Sequence, residues 1–228
     1  MKKSILAASL CCVALSSQAS VSAEATIDWS TLDITLIDLD PDDGIATSMT
    51  WFDETSSVGA WQADGWQDVE EATDSWASTI SAATTDALAT AAPSALQATV
   101  EDVINGDAFA HRIGHFALSA NTAVTFSLEA SYALLPGGWA YTSVRAELPG
   151  VFDVDSLGPE QPYDTGLPYS GRGILTVSLT NDTTETLNGT FEANAYVQVT
   201  AIPEPETYAL FLAGLGLIGL LARRPRMQ

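Results

Sequence analysis

Along most of the chain, apolar and polar positions alternate with a period of two, the pattern of strands that bury one face. Ile27, Trp29, Leu32, Ile34, Leu36 and Leu39 mark such a strand over residues 25–38. The segment Asp38-Leu39-Asp40-Pro41-Asp42-Asp43-Gly44 then reads as a turn, and residues 46–52 as the strand that returns beside the first. Asp and Gly favour turn backbones, and Pro41 has no amide to donate, so pairing must stop there. From Ala108 the alternation becomes clear. Phe109 to Leu118 leads through Ser119-Ala120-Asn121-Thr122 into Ala123 to Tyr132, and Trp139 to Leu148 follows Pro136-Gly137-Gly138. Gly173 to Thr180 and Thr190 to Thr200 predict a last hairpin around Asn181-Asp182 and Asn188-Gly189. In that pair Phe191, Ala193, Ala195, Val197 and Val199 supply an apolar face, with Ile174, Leu175, Val177 and Leu179 as candidates on the preceding strand. Residues 149–173, rich in Pro and Gly, read as a long loop that carries Tyr163 and Tyr169.

Residues 53–107 are the least regular. Trp61, Trp66 and Trp76 stand at uneven spacing among polar residues, and residues 72–100 hold 10 Ala, 6 Thr and 4 Ser. Alanine supports helix while Thr and Ser favour strands or loops. One helix at most is expected, over 82–92 or 94–104, with Pro93-Ser94 as its start and Asn105-Gly106 as its stop. The alternative is small-residue strands on a sandwich surface. Short strands joined by turns, with no alternating long helices, predict a mainly β fold: a single antiparallel β-sandwich, jelly-roll-like in connection, over residues 24–202.

The two ends break this pattern. Met1-Lys2-Lys3 followed by the apolar stretch Ser4 to Ser16 and by Val21-Ser22-Ala23 reads as a signal peptide over residues 1–23, cut after Ala23, with Ala19 as the alternative site. It implies Sec export and a signal peptidase. Cys11 and Cys12 lie in the removed segment behind Leu10, a poor context for a lipid anchor, and no disulfide framework is left for the exported chain. At the other end, Ile202-Pro203-Glu204-Pro205-Glu206-Thr207 precedes an uncharged run from Tyr208 to Ala222 and the basic tip Arg223-Arg224-Pro225-Arg226. The two prolines forbid helix and hold an extended, accessible peptide. The run makes a predicted transmembrane helix of about 22 Å at 1.5 Å per residue, against a hydrocarbon core of roughly 30 Å. It is short for a permanent span, and its arginines favour a cytoplasmic end.

This order of motif, Gly-rich leucine run (Gly214, Gly216, Gly219) and basic tip resembles the PEP-CTERM sorting tail. The resemblance assigns Pro203, Glu204 and Pro205 to the sorting motif, residues 208–222 to the membrane helix, and Arg223, Arg224 and Arg226 to the tip of a tail spanning residues 203–228. It implies recognition and cleavage by an exosortase of a Gram-negative, exopolysaccharide-producing bacterium. A transient inner-membrane stage would be followed by release to the cell surface or extracellular space. The Leu36-Ile37-Asp38-Leu39-Asp40-Pro41-Asp42-Asp43-Gly44-Ile45 stretch and the Phe116 to Ser127 strand pair are likewise similar to extracellular domains found in PEP-CTERM proteins.

Charge narrows the partners. Residues 24–202 carry 27 acidic side chains against Arg112, Arg145 and Arg172 and no lysine, a formal charge of −24. Such a surface repels nucleic acid and anionic lipid, and favours solubility, divalent cations and a hydrated polymer matrix. Asp38, Asp40, Asp42 and Asp43 are candidate calcium ligands, although Asp43 stands where an EF-hand loop needs glycine and Met49 where it needs a bidentate glutamate. A solvated Asp turn is the plainer reading. His111 and His115 are expected on one strand face with Ile113 between; Arg112 replaces the glutamate a zinc protease would need, which leaves little metal chemistry there. Trp61, Trp66 and Trp76 could stack on sugar rings or lie in the core. No nucleophile elbow or phosphate-cradling glycine loop is present, so the chain reads as a non-enzyme without cofactor. Two roles remain: a structural or interaction protein of the envelope and exopolysaccharide (biofilm) matrix, and a surface-displayed carbohydrate-binding module or polysaccharide-acting enzyme.

Overall fold

Strict alternation along Asn105–Leu118, where every second residue is buried, is the local signature from which the architecture is built. The computed structural model describes residues 22–62, 69–73, 75–101, 105–135, 137–159, 169–200 and 213–215. Its strands are β1 (Ala23–Asp38), β2 (Met49–Gln62), β3 (Val69–Thr73), β4 (Ile80–Ala83), β5 (Ala87–Ala92) and β6 (Ala95–Val100), followed by β7 (Asn105–Leu118), β8 (Thr122–Leu134), β9 (Gly138–Leu148), β10 (Val151–Leu157), β11 (Tyr169–Asn181) and β12 (Leu187–Thr200). They form two antiparallel sheets of six strands each, the first in the order β11-β8-β1-β6-β5-β4 and the second in the order β10-β9-β12-β7-β2-β3. β7 pairs β12 in the second sheet, β8 pairs β11 in the first, and β9 pairs β10 in the second again. Nested pairs that alternate between sheets are the winding of a jelly roll. β1 lies between β8 and β6, antiparallel to both.

The apolar faces of both sheets meet in one core. At its centre is an aromatic cluster: Trp76 lies edge-on to Trp29 and to Trp51 with centroids 4.9 Å apart in each pair, and Phe126 of the first sheet stacks on Phe191 of the second at 4.5 Å. Arg112 of β7 points into this cluster and is fully buried. Its guanidinium sits 4.6 Å from the Trp29 ring centroid. Nη2 donates to the carbonyls of Trp76 (3.1 Å) and Ala92 (2.6 Å), and Nε donates to Ser56 Oγ (3.3 Å). Burial pushes its pKa down to about 10, with Glu54 pulling the other way. The guanidinium therefore stays charged at neutral pH, and it ties β7 of one sheet to the end of β5 in the other.

Several connections differ from the sequence expectation. The segments expected as hairpins after residues 38, 118 and 181 each pass from one sheet to the other, so β1 does not pair β2, β7 does not pair β8, and β11 does not pair β12. Turn residues permit either outcome; the deciding bonds are long-range. Leu39 N donates to Asn121 O (2.8 Å), Asn121 N to Thr183 O (3.1 Å) and Ser119 N to Ser48 O (3.0 Å). The buried Asn181 side chain donates to the carbonyls of Leu118, Ser119 and Glu185. The three crossings thus satisfy one another's backbone groups, as ladders would in hairpins. Asn181 accordingly serves the turn, as expected.

The helix expected within residues 82–104 is absent; that stretch is the meander β4-β5-β6, with Pro93-Ser94 as the turn that sets Ala92 opposite Ala95. Ala82, Ala87, Ala89, Ala91 and Ala98 are buried rather than on a sandwich surface, because their period-two spacing outweighs alanine's helix propensity. The stretch read as a long loop contains β10, joined to β9 through Pro149-Gly150 with Gly150 at φ +86°, the left-handed backbone that a type II turn requires at that position. Tyr163 lies outside the described residues. On β11, Leu175, Val177 and Leu179 face the core while Ile174 is exposed. The open edge of β11 is capped by its neighbour across the sandwich: Thr176 N donates to Asp155 Oδ2 (2.9 Å) and Ser178 N to Asp153 Oδ2 (2.8 Å), which blunts an edge otherwise open to a foreign strand.

Packing at the cluster leaves no room at Gly114, where an added Cβ would stand 2.4 Å from Trp76 and 2.7 Å from Trp51. Gly114→Ala is expected to destabilise the protein by about 1–3 kcal/mol, the ordinary cost of overpacking a rigid site. Chemical denaturation checks this; an unchanged midpoint would mean the tryptophans yield freely.

Residues Val21–Ala201 form one compact unit, and residues 1–20 with 202–228 another. Of the second, Ala213, Gly214 and Leu215 are described; they are helical and exposed. Residues 1–21 of the expected signal peptide and the rest of the 208–222 span fall outside the described residues, whereas Ala23, its expected last residue, begins β1. Among the described residues no helix is long and apolar enough to cross a membrane.

Candidate functional site

The aspartate turn after β1 is held by its own amides. Asp40 N donates to Asp38 Oδ1 (3.1 Å), Ile45 N to Asp43 Oδ1 (2.6 Å) and Asn121 Nδ2 to Asp43 Oδ2 (2.6 Å). Gly44 adopts φ +73° between the last two bonded positions. Asp38 and Asp43 thus spend carboxylate oxygens on turn geometry, while Asp40 and Asp42 face solvent. Among the described residues no group of three or more His, Cys, Asp or Glu side chains is placed to hold a metal ion.

A different surface gathers the scarce chemistry of the domain. Register aligns residues of β2, β7, β12, β9 and β10 in rows on the outer face of the second sheet. Trp61, Asp107, Gln198 and Trp139 form one row, Gly59, Phe109, Tyr196 and Tyr141 the next, and Ser57, His111, Asn194, Ser143 and Ser156 a third. Thr55, Ile113, Glu192, Arg145 and Val154 follow, and then Asp53, His115, Thr190, Glu147 and Phe152. Outward positions on all five strands make the face, because side chains alternate across a sheet.

The rings on this face support one another. Trp139 and Tyr141 centroids are 5.1 Å apart, Tyr141 and Tyr196 5.4 Å, and Trp139 and Tyr196 5.7 Å. Asn194 Nδ2 donates to the Tyr141 hydroxyl at 3.1 Å. The Phe109 ring lies on Gly59, whose Cβ would stand 2.2 Å from it if present, so glycine is what lets the ring lie flat on the sheet. Between Phe109 and Tyr196 on one side and Arg145 and Val154 on the other lies a shallow depression of about 440 Å³, lined also by His111, Ser143, Glu192 and Asn194. Arg145 is fixed at its rim by a 2.6 Å bond to Glu147, with its guanidinium 5.4 Å from the Phe152 ring centroid.

The histidines share this face with Ile113 between them, as expected, but point to different neighbours. His115 lies 3.9 Å from Asp53, 3.2 Å from Thr190 Oγ1 and stacked on Phe52. His111 sits at the depression, where burial holds its pKa below the ordinary value against the opposing pull of Glu192. Of the tryptophans read as possible sugar platforms, Trp76 is a core residue whose indole N–H donates to the carbonyls of Thr55 and Ile113. Trp61 is on the outer face, and Trp66 lies outside the described residues. Phe109, Trp139, Tyr141 and Tyr196 were not grouped by sequence reasoning, since three strands distant in the chain bring them together.

The remaining site residues, Ala23 apart, belong to the tail: Pro203, Glu204, Pro205, Arg223, Arg224 and Arg226 lie outside the described residues. Residues 201–226 match the family model for the PEP-CTERM protein-sorting motif. The match agrees with the resemblance read from the sequence and supports exosortase-dependent sorting to the cell envelope, with an exosortase as processing partner. No curated protein matches the chain.

Proposed function

We propose that the protein is an exported, non-enzymatic component of the envelope and exopolysaccharide matrix of a Gram-negative bacterium, held at the inner membrane by residues 208–222 until an exosortase cuts beside Pro203-Glu204-Pro205. The observation that carries this reading is the sorting-motif match over residues 201–226. The body it delivers has no cysteine, so its folding needs no disulfide chemistry after export, and its charge of −24 over residues 24–202 suits a hydrated matrix. The displayed-module alternative shares this delivery route and differs in what the sandwich contacts.

The fold bears on the choice of N-terminal cut. Ala23 is buried in β1 opposite Val100 and Leu134, and the Ser22 carbonyl accepts a bond from Leu135 N at 2.8 Å. A signal-peptidase cut after Ala19 keeps these contacts and a cut after Ala23 forfeits them, so the former is favoured over the latter. Mass spectrometry of protein recovered outside the cell tests both ends: the expected species begins at Ser20 and ends before Tyr208. Recovery of released protein with the intact Leu/Gly run would overturn the sorting reading.

A further inference from the structure

We propose that the outer face of the second sheet binds chains of uncharged sugar residues, seated in the depression bounded by Phe109, Tyr196, Arg145 and Val154. The proposal rests on the extracellular placement argued above and adds a ligand class to it.

Three observations point to this occupant. Pyranose rings present apolar C–H faces ringed by hydroxyls, so their binding surfaces combine aromatic faces with compact hydrogen-bonding groups. Here the rings of Trp139, Tyr141 and Tyr196 touch, and the adjoining row is Ser57, His111, Asn194, Ser143 and Ser156, with uncharged hydrogen-bonding chemistry throughout when His111 is neutral. The rings brace one another and Tyr141 is bonded to Asn194, so little side-chain entropy is lost on binding. Glu192 and Arg145 at the edge of the depression offer a strong acceptor and a strong donor to hydroxyl groups.

Charge selects among sugars and against other partners. Asp53, Asp107, Glu147 and Glu192 share the face with Arg145, and the whole domain carries −24. A polyuronate meets repulsion that low salt strengthens. A second copy of the same face would set these carboxylates against their own kind, which disfavours self-association there. The depression is open and shallow, the shape for the side of a polymer rather than for an enclosed metabolite.

The test is native gel retardation of the full-length chain, kept in non-ionic detergent, in gels cast with mixed-linkage β-glucan, galactomannan or alginate. At least one neutral polymer is expected to retard the wild type and alginate is not. Tyr196→Ala and Tyr141→Ala are expected to weaken retardation at least about tenfold, the effect of a buried aromatic anchor. Asn194→Ala is expected to weaken it while lowering the melting temperature by no more than about 6 °C, the size of one part-buried hydrogen bond, and Ile174→Ala, on the outer face of the other sheet, leaves it unchanged. Absence of retardation by both neutral polymers, equal retardation by alginate, or wild-type binding by all three face variants would each overturn the proposal. Correctly processed protein without sugar retardation would defeat this inference and leave the sorting reading standing; retardation by a protein never cleaved would do the reverse.

Discussion

Replacing Arg112 with alanine is expected to cost about 3–5 kcal/mol, at least about a fifth of the roughly 5–15 kcal/mol that holds a domain together. The side chain is fully buried and reaches from β7 to the carbonyls of Trp76 and Ala92 and to the Ser56 hydroxyl. Truncation leaves two carbonyls without that donor at about 1–3 kcal/mol each, and opens a cavity beneath Trp29 at a few kcal/mol more. Against these stands a gain. Among the described residues no carboxylate is hydrogen-bonded to the guanidinium and Nη1 has no partner, so the wild type already bears a desolvation cost of several kcal/mol that the pull of Glu54 offsets only in part. The sum still favours arginine, because the cation lies on the Trp29 ring and its two bonded nitrogens serve three acceptors. Methionine keeps most of the volume and removes the charge, so Arg112→Met should lose less than half as much as alanine. Lysine offers a compact ammonium that cannot span the same acceptors, so Arg112→Lys should resemble alanine. Urea denaturation of the four proteins reads the ranking, and for a domain of this size the alanine loss corresponds to roughly 6–20 °C in melting temperature. An alanine variant within 1 kcal/mol of wild type would show that the buried arginine is tolerated rather than required.

The arginine also marks where sequence reading stops. Strand identity was legible wherever one face is wet. Phe191, Ala193, Ala195, Val197 and Val199 alternate with polar residues, and the structure buries all five. Choice of partner was not legible, since Asp, Asn and Gly turns serve hairpins and sheet-to-sheet crossings alike. What separates the two here is contact between distant turns, such as Asn121 with both Leu39 and Thr183. The alanine-rich stretch misled for a related reason. Ala87, Ala89 and Ala91 carry a strand period, but their small size matters only because β5 packs against β2 and β7, which carry larger inward side chains such as Arg112. The candidate sugar face has the same character. Phe109, Tyr141 and Tyr196 occupy one row through the order β7-β12-β9, a fact of register that no local pattern encodes. The tail, by contrast, is wholly local: its prolines, apolar run and arginines are read in sequence order, and its match over residues 201–226 agrees with that reading.

Replacing both Pro203 and Pro205 with alanine is expected to reduce release of the protein from the inner membrane at least about tenfold, the consequence of only about 1.4 kcal/mol lost in recognition. In the wild type these prolines remove two amide donors and disfavour helix across residues 202–207, just before the apolar run. Each proline opposes helix by about 3 kcal/mol relative to alanine, so the variant lets a helix begun at Tyr208 grow back through the cleavage segment. A peptide locked in helix cannot lie extended in a protease cleft. Glu204→Ala tests side-chain recognition apart from backbone shape and should also slow release. The uncleaved chain should accumulate in the inner membrane, a few kilodaltons heavier than the released form, with arginines 223, 224 and 226 on the cytoplasmic side. A permanent anchor makes the opposite forecast, because it needs no Pro-Glu-Pro and would retain wild type and variant alike. The proposed span would itself argue against permanence: formed as a helix it would measure about 22 Å against roughly 30 Å of hydrocarbon, stable only with thinning or snorkelling, each at some cost. Normal release of the double-alanine variant would end the cleavage hypothesis. Retention of both proteins would instead establish the run as an anchor and the prolines as bystanders.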